Sequence, residues 1–457
     1  MALDRSHRRA PAAASEGSPV APVPDAAAAP IAEAAPATPI PVRGLRHAFR
    51  ALRHRDFALF WTGALISSTG MWMQNVTVPF VLHEATGSAA WVGFGAFLQF
   101  APALLVGPVG GVFADRFPRR RILLVSQSIA MTMAFLLWVS VSDGQTRPGV
   151  IVVLVAVSGF AAGFGIPAWQ SFVPELVPRA SLLNAVALNS AQFNASRALG
   201  FMVGGITLYE FGPGVAFLAN GVSYLAVLGA LMAVSAGRQP VTHRRGGGSF
   251  RLAIAYVGER PGLRLAVIAV GIVAFLGSPV IQLAPVFARD EFGVDERAYG
   301  FLAAALGIGA TLGSVLLGAY GDGLARSRLT VGALFAYGVA VVGMGLTPAY
   351  AGGLAAMLVI GLGYLVIVSA LNTSVQVAVD DRYRGRVLAL YAMAFTGGYP
   401  LGSLLQGWLA DIVGVRPVVT GAGLALILYA AWLMSRPLLV ASLDTGGERA
   451  PFVRRSG

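Results

Sequence analysis

Gly111-Val112-Phe113-Ala114-Asp115-Arg116-Phe117-Pro118-Arg119-Arg120-Arg121 returns 207 residues later as Gly318-Ala319-Tyr320-Gly321-Asp322-Gly323-Leu324-Ala325-Arg326-Ser327-Arg328. Both stretches read Gly-x3-Asp-x3-Arg-x-Arg, and each follows the second long apolar run of a set of six. A second pattern repeats with them: Gly200-x4-Gly205-x6-Gly212 recurs as Gly402-x4-Gly407-x6-Gly414, offset by 202 residues. A duplicated six-helix unit places a cavity at the interface between two similar bundles.

The surrounding sequence has the composition of a membrane protein. Of its 457 residues 56% are apolar and 12% charged, with a mean hydropathy of +0.71; a soluble domain carries about 25% charge. Twelve spans of about 20 residues would use roughly 240 apolar residues, close to the number present. A soluble enzyme and a disordered or fibrous chain are excluded. The apolar runs cover 57–82, 90–113, 122–141, 149–171, 186–209 and 214–235, then 264–287, 298–320, 329–346, 351–374, 388–410 and 417–435. The reading is an all-α membrane protein of twelve transmembrane helices in two pseudo-symmetric bundles. Residues 1–56, rich in Ala and Pro, form a disordered tail, because proline at that density prevents a helix. They contain no compact apolar core of a signal peptide. Residues 57–236 form the first bundle, 237–263 a polar linker, 264–436 the second bundle and 437–457 a second tail.

The net charge of +12 comes from Arg alone, since the sequence has no Lys. On a soluble protein this balance would point to nucleic acid. Here the Arg residues sit in short connections, where basic charge marks the cytoplasmic side. Sixteen lie in the connections on the motif side and four (Arg147, Arg289, Arg297, Arg416) on the other. Both termini are therefore expected in the cytoplasm, in a multi-pass inner-membrane protein whose partners are the bilayer and a small molecule, with no nucleic acid. The expected state is a monomer. With no Cys and five His, none at a helical metal-ligand spacing, no metal site or other cofactor is expected.

In the motif, Gly111 and Gly318 are expected to let neighbouring helices approach. Asp115 and Asp322 fall at helix C-termini, where a carboxylate is unfavourable without a partner. With Arg116, Arg119 and Arg121, and Arg326 and Arg328 in the second copy, they read as latches that close in one state and open in another.

Gly111-x3-Asp115-Arg116-x2-Arg119-Arg120 resembles the loop 2–3 signature of the major facilitator superfamily, with Pro118 where that signature commonly has Gly. Over roughly residues 50–437 the chain is similar to the drug-exporter branch that includes macrolide efflux proteins and the enterobactin exporter. Arg55-Asp56-Phe57, Trp61-Thr62-Gly63, Thr86-Gly87-Ser88, Asn184-Ala185-Val186-Ala187-Leu188 and Arg384-Gly385-Arg386-Val387 add to the likeness. The resemblance implies alternating access driven by an ion gradient, usually protons. It also implies that Asp115 meets the start of the eleventh helix near Arg386 and Val387 in the outward-facing state. The antiporter signature Gly-Pro-x-x-Gly-Gly appears here as Gly200-Phe201-Met202-Val203-Gly204-Gly205, without its proline.

Polar residues inside apolar helices face a cavity or a partner. Gln74 and Asn75 lie in the first run; Ser190, Asn194 and Arg197 form one stripe of the fifth; Gln282 lies in the seventh. Ser369, Thr373 and Gln376 form a stripe of the tenth, with Asn372 adjoining. In the superfamily arrangement these helices line the cavity, and each Asn or Gln has an interhelical hydrogen bond as its alternative role. Arg197 costs about 2.5–3.5 kcal/mol near the bilayer centre, so it needs a cavity or an acceptor and could bind an anionic group or organise the interface. Trp72, Trp169, Tyr364, Tyr391, Met393 and Phe395 are candidates for an apolar wall. No carboxylate lies deep in a run; Glu175 and Glu210 are the nearest coupling candidates. The leading function is export of amphipathic, drug-like compounds, with a siderophore or other secreted metabolite as alternative cargo. A transport-silent membrane sensor or assembly partner would have lost the duplicated motif. An enzyme lacks its catalytic cluster.

Overall fold

The computed structural model describes residues 49–144, 146–235, 250–380 and 383–444; the side chains of Pro108, Leu183, Asn194, Phe250, Glu296, Arg297 and Asp322 also fall outside the description. Most of both tails, residues 237–249 of the linker, and Arg238, Arg244, Arg245 and Arg382 of the charge count lie outside the described residues. Those described are almost wholly helical and include no strand. In the first half, α1 spans Arg55–Thr86, α2 Ala89–Arg116, α3 Arg119–Ser142, α4 Pro148–Phe172 and α5 Leu182–Ala233. A short helix α6, Phe250–Gly258, opens the second half. It is followed by α7 (Pro261–Glu291), α8 (Glu296–Tyr320), α9 (Arg326–Leu346), α10 (Tyr350–Ala378), α11 (Arg384–Val413) and α12 (Val415–Met434).

Among the described residues, ten segments are long and apolar enough to cross a membrane. The count differs from twelve for two physical reasons. Helix α1 has the length, but Ser67, Ser68, Gln74, Asn75, His83 and Glu84 dilute its hydropathy. Helix α5 carries a 50-residue apolar segment, Asn184–Ala233, broken at Gly212, whose φ of 78° and ψ of 175° lie outside the helical region. Only glycine adopts that conformation at little cost, and Pro213 follows as the first residue of the next arm. Gly414, with φ 88°, makes the corresponding break between α11 and α12. The third glycine of the repeated pattern is thus a corner in both halves.

The other two glycines set helix spacing. A Cβ on Gly200 would lie 2.4 Å from the Cβ of Trp72 in α1, and one on Gly402 would lie 2.1 Å from the Phe275 carbonyl oxygen in α7. Gly205 packs against Gly300 of α8, where an added Cβ would come within 2.5 Å of the Gly300 Cα. Gly407 packs against Gly93 of α2 at 3.1 Å on the same construction. The halves therefore touch along two pseudo-symmetric seams, α5 against α8 and α2 against α11.

Helix α7 contains two π-turns, Val273–Gly277 and Phe287–Glu291. The first turns carbonyls out of the helix ladder, and Gln406 of α11 satisfies two of them, donating to the Phe275 and Leu276 oxygens at 2.9 and 3.0 Å. The ends of the expected tail and linker are packed. The Ala51 N–H donates to Asn184 Oδ1 at 2.7 Å, and Ala51 is fully buried. On α6, Tyr256 stacks on Tyr383 at 4.2 Å, its hydroxyl accepts the Asp380 N–H, and the Arg260 guanidinium lies 3.6 Å over its ring. Burial raises the Tyr256 phenol above its ordinary pKa.

Candidate functional site

The polar contacts that cross between the halves gather at the end opposite the two motifs. His83 of α1 lies 3.0 Å from Asp290 of α7 through Nε2, and the Arg289 guanidinium donates to Glu84 at 2.8 Å. His83 and Asp290 are themselves 207 residues apart, the offset of the repeat, so equivalent positions meet across the pseudo-twofold axis. His83 is 4% exposed. At the start of α2, the Ser88 hydroxyl donates to Asp411 Oδ2 at 2.5 Å and the Ala89 N–H donates to Oδ1 at 2.7 Å. A carboxylate from α11 thus caps a helix N-terminus in the other half, where the dipole favours negative charge. Two turns along α1 from His83, the Tyr299 hydroxyl donates to the Val76 carbonyl at 2.7 Å, and its ring stacks on Phe80. Beside this gate Arg416 pairs with Glu291 and donates to the Thr347 carbonyl at 2.7 Å. Sequence reading missed the gate because its partners are neighbours only across the two halves.

At the motif end no polar contact crosses between the halves among the described residues. Asp115 is exposed and has no hydrogen-bond or ion-pair partner among the described residues; the Asp322 side chain lies outside the description. The contact expected between Asp115 and the start of α11 is not formed in this conformation: Val387 is fully buried in its own half, and Arg386 is half-buried. Arg116, Arg121 and Arg328 are exposed. Arg119 instead pairs with Glu175 and donates to the Ser171 carbonyl, tying α3 to the end of α4. Glu175 is thereby accounted for within one half, and Glu210 is an exposed residue near the Gly212 corner. Arg326 donates to the Asp444 carbonyl at 2.9 Å, while the Asp444 carboxylate accepts the Ser327 N–H at the same distance and the Ser327 hydroxyl.

The expected close approach at Gly111 and Gly318 is corrected: an added Cβ would meet nothing within 4 Å at either. Its neighbour Gly110 does that work, facing the Gly163 carbonyl of α4 at 2.3 Å from such a Cβ. One residue along a helix is a rotation of about 100°, so the motif glycine points away from α4.

A small cavity of about 40 Å³ lies behind the closed gate, lined by residues of both halves including Trp72, Asn75, Phe100, Gln282, Tyr299 and Tyr399. Asn75 and Gln282 are at the cavity, and Asn75 accepts a hydrogen bond from Gln99. Gln74 turns the other way, accepting from Asn220 at 2.7 Å inside the first half. Asn372 and Gln376 bond to each other on α10, and the exposed Thr373 donates to the Ser369 carbonyl at 2.9 Å. The Asn194 side chain lies outside the description. Next to the cavity the Arg197 guanidinium sits 5.8 Å from the Trp72 ring and 5.8 Å from the Tyr364 ring, one from each half. Phe193 and Phe201, one turn before and after Arg197, meet Trp72 edge-on at 5.6 and 5.4 Å, and Phe395 tilts against Tyr364 at 6.2 Å. Of the expected wall, Trp72, Tyr364 and Phe395 gather here. Trp169 donates to Asn189 in the first half, Tyr391 donates to the Val368 carbonyl, and Met393 is exposed.

Two half-bundles that meet on paired glycine seams, bridged by polar contacts at one end and sharing a cavity behind them, define a multi-pass transporter of the major facilitator type. The chain belongs to the transmembrane secretion effector family of that superfamily, whose model matches residues 46–446. It is 27% identical over 419 residues to an enterobactin exporter of Escherichia coli (strain 536), covering 88% of this chain and 96% of that one. It is 23% identical over 378 residues to macrolide efflux protein A of Streptococcus pyogenes, covering 79% and 90%. Among solved structures, the nucleoside transporter NupG superposes with a TM-score of 0.67 at 12% identity, over 83% of this chain and 98% of that one. A bacterial homologue of the human lysosomal transporter Spinster superposes with 0.61 at 17% identity, over 88% and 98%. The likeness in fold thus extends well beyond the likeness in sequence.

Proposed function

We propose that this chain is a secondary active exporter that moves amphipathic, drug-like organic compounds out across the cytoplasmic membrane by alternating access. The supporting observation is the one-sided set of bridges: His83, Glu84, Ser88 and Ala89 meet Asp290, Arg289 and Asp411 at one end, while among the described residues Asp115 has no partner at the other. Counting α1 and both arms of α5 as crossings gives twelve, which returns both termini to one side. The excess of Arg on the motif side makes that side cytoplasmic, so the conformation is open inward. The chain works as a monomer, and an ion gradient, that of protons, supplies the energy.

A second reading, export of a siderophore or other secreted metabolite, is favoured by the more extensive match to the enterobactin exporter than to the macrolide efflux protein. Comparing a deletion strain with its parent for drug susceptibility and for secreted metabolites separates the two. Inverted vesicles carrying the chain are expected to take up the cargo so identified when a proton gradient is imposed. Normal uptake by an Asp115→Asn chain would remove the latch role, and uptake indifferent to the gradient would remove proton coupling.

A further inference from the structure

We infer that the exported cargo is an organic anion whose acidic group sits on an aromatic or other planar frame, and that Arg197 receives it between Trp72 and Tyr364. The inference rests on the exporter reading and adds the charge and shape of the substrate. Its first ground is an inventory of charge within the membrane. Apart from Arg264 at the very start of the seventh run, Arg197 is the single charged residue in the twelve apolar runs, and none of them contains Asp or Glu. A guanidinium stays protonated at any physiological pH. None of the twelve runs carries a carboxylate to offset Arg197, so the charge built into the runs themselves is net positive. An anion bound there lowers the energy of the loaded carrier; a cation bound there raises it.

The second ground is geometry. The Trp72 and Tyr364 rings each lie 5.8 Å from the guanidinium and belong to opposite halves. Phe193, Phe201 and Phe395 extend the aromatic surface on either side. Arginine presents a planar fork that matches a carboxylate or a pair of adjacent phenolate oxygens, and its plane stacks on rings. A flat acid placed on the fork can slide its ring along Trp72 or Tyr364. Because the two rings move with different halves, such a ligand touches both, as alternating access requires of a cargo that biases the two states differently.

The test uses the full chain in nanodiscs of zwitterionic lipid, with salicylate as the acidic probe and salicylamide as its neutral counterpart. Radioligand binding is expected to favour the acid by at least about tenfold, the range of a charge-assisted hydrogen bond. In Arg197→Gln that ratio falls toward one, and in Arg197→Lys, which keeps the charge without the fork, it falls only in part. Tyr364→Leu is expected to weaken salicylate several-fold while inorganic phosphate, used as a competitor, stays a poor displacer. Equal binding of acid and amide, or an unchanged ratio in a folded Arg197→Gln chain, overturns the inference. Displacement of salicylate by phosphate or chloride at matching concentrations overturns the organic part and leaves an inorganic ion site. Vesicles that accumulate ethidium but ignore salicylate would uphold the exporter reading and refute the anion. Salicylate binding that depends on Arg197 without transport of any probe would do the reverse.

Discussion

Asp411→Ala removes the two hydrogen bonds by which α11 holds the start of α2, from the Ser88 hydroxyl at 2.5 Å and the Ala89 N–H at 2.7 Å. A hydrogen bond to a charged group contributes about 1.5–3 kcal/mol. The Ser88 contact is exposed, and exposed charge contacts are worth only about 0–1 kcal/mol. The discounted loss is about 1.5 kcal/mol, concentrated in the state closed at this end, which raises the population open there about tenfold. The natural chain has no Cys, so Asn75→Cys, in the cavity behind the gate, supplies its only thiol. A membrane-impermeant maleimide added from the gate side reacts in proportion to the open population. Labelling is expected to quicken about tenfold in the Asp411→Ala background. Glu210→Ala, which removes an exposed carboxylate on the same side that joins no halves, serves as control and leaves the rate unchanged. A rate within twofold of the parent in Asp411→Ala would refute the assignment of these bonds to the gate.

Three further outcomes are expected. Gly205→Leu forces a side chain into the Gly300 backbone, where even a Cβ would come within 2.5 Å; it drives the chain out of this conformation and abolishes export while leaving membrane insertion intact, read by uptake and by maleimide access. Gln406→Leu strands the Phe275 and Leu276 carbonyls of the π-turn, costing about 1–3 kcal/mol; thermal unfolding in detergent is lowered more than by Gln99→Leu at the cavity edge. Removing residues 1–40 leaves transport unchanged in vesicles, since Ala51, the first buried residue among those described, and its bond to Asn184 are retained.

The glycine pattern shows how far the sequence carried and where it stopped. The offset of about 200 residues disclosed the duplication and, with it, an interface between two similar bundles; the helices that meet there came from the fold. The differing duties within one pattern, packing on α1 or α7, packing across the seam, and turning a corner, depend on which way each residue faces. At Gly111 the error was a single residue, because Gly110 beside it carries the contact. Gln74 and Asn75 are adjacent and polar, yet one locks to Asn220 and the other faces the cavity; only helix rotation separates them. The gate was illegible because its partners lie about 200 to 320 residues apart and look like ordinary loop charges. Arg197 stood out from sequence because charge within the membrane is costly wherever it faces. Its ring partner on α10 had to come from the fold.

Distances at both ends of one molecule test alternating access most directly. Spin labels at Phe117 and Leu324 mark the motif end, and labels at Gly87 and Val413 mark the gate; all four positions are exposed. In nanodiscs, Asp411→Ala is expected to lengthen the gate distance and shorten the motif distance in the same fraction of molecules. If the two ends open together, or the gate widens while the motif end stays as it is, the halves do not swing about the glycine seams and the transport cycle drawn from them is wrong.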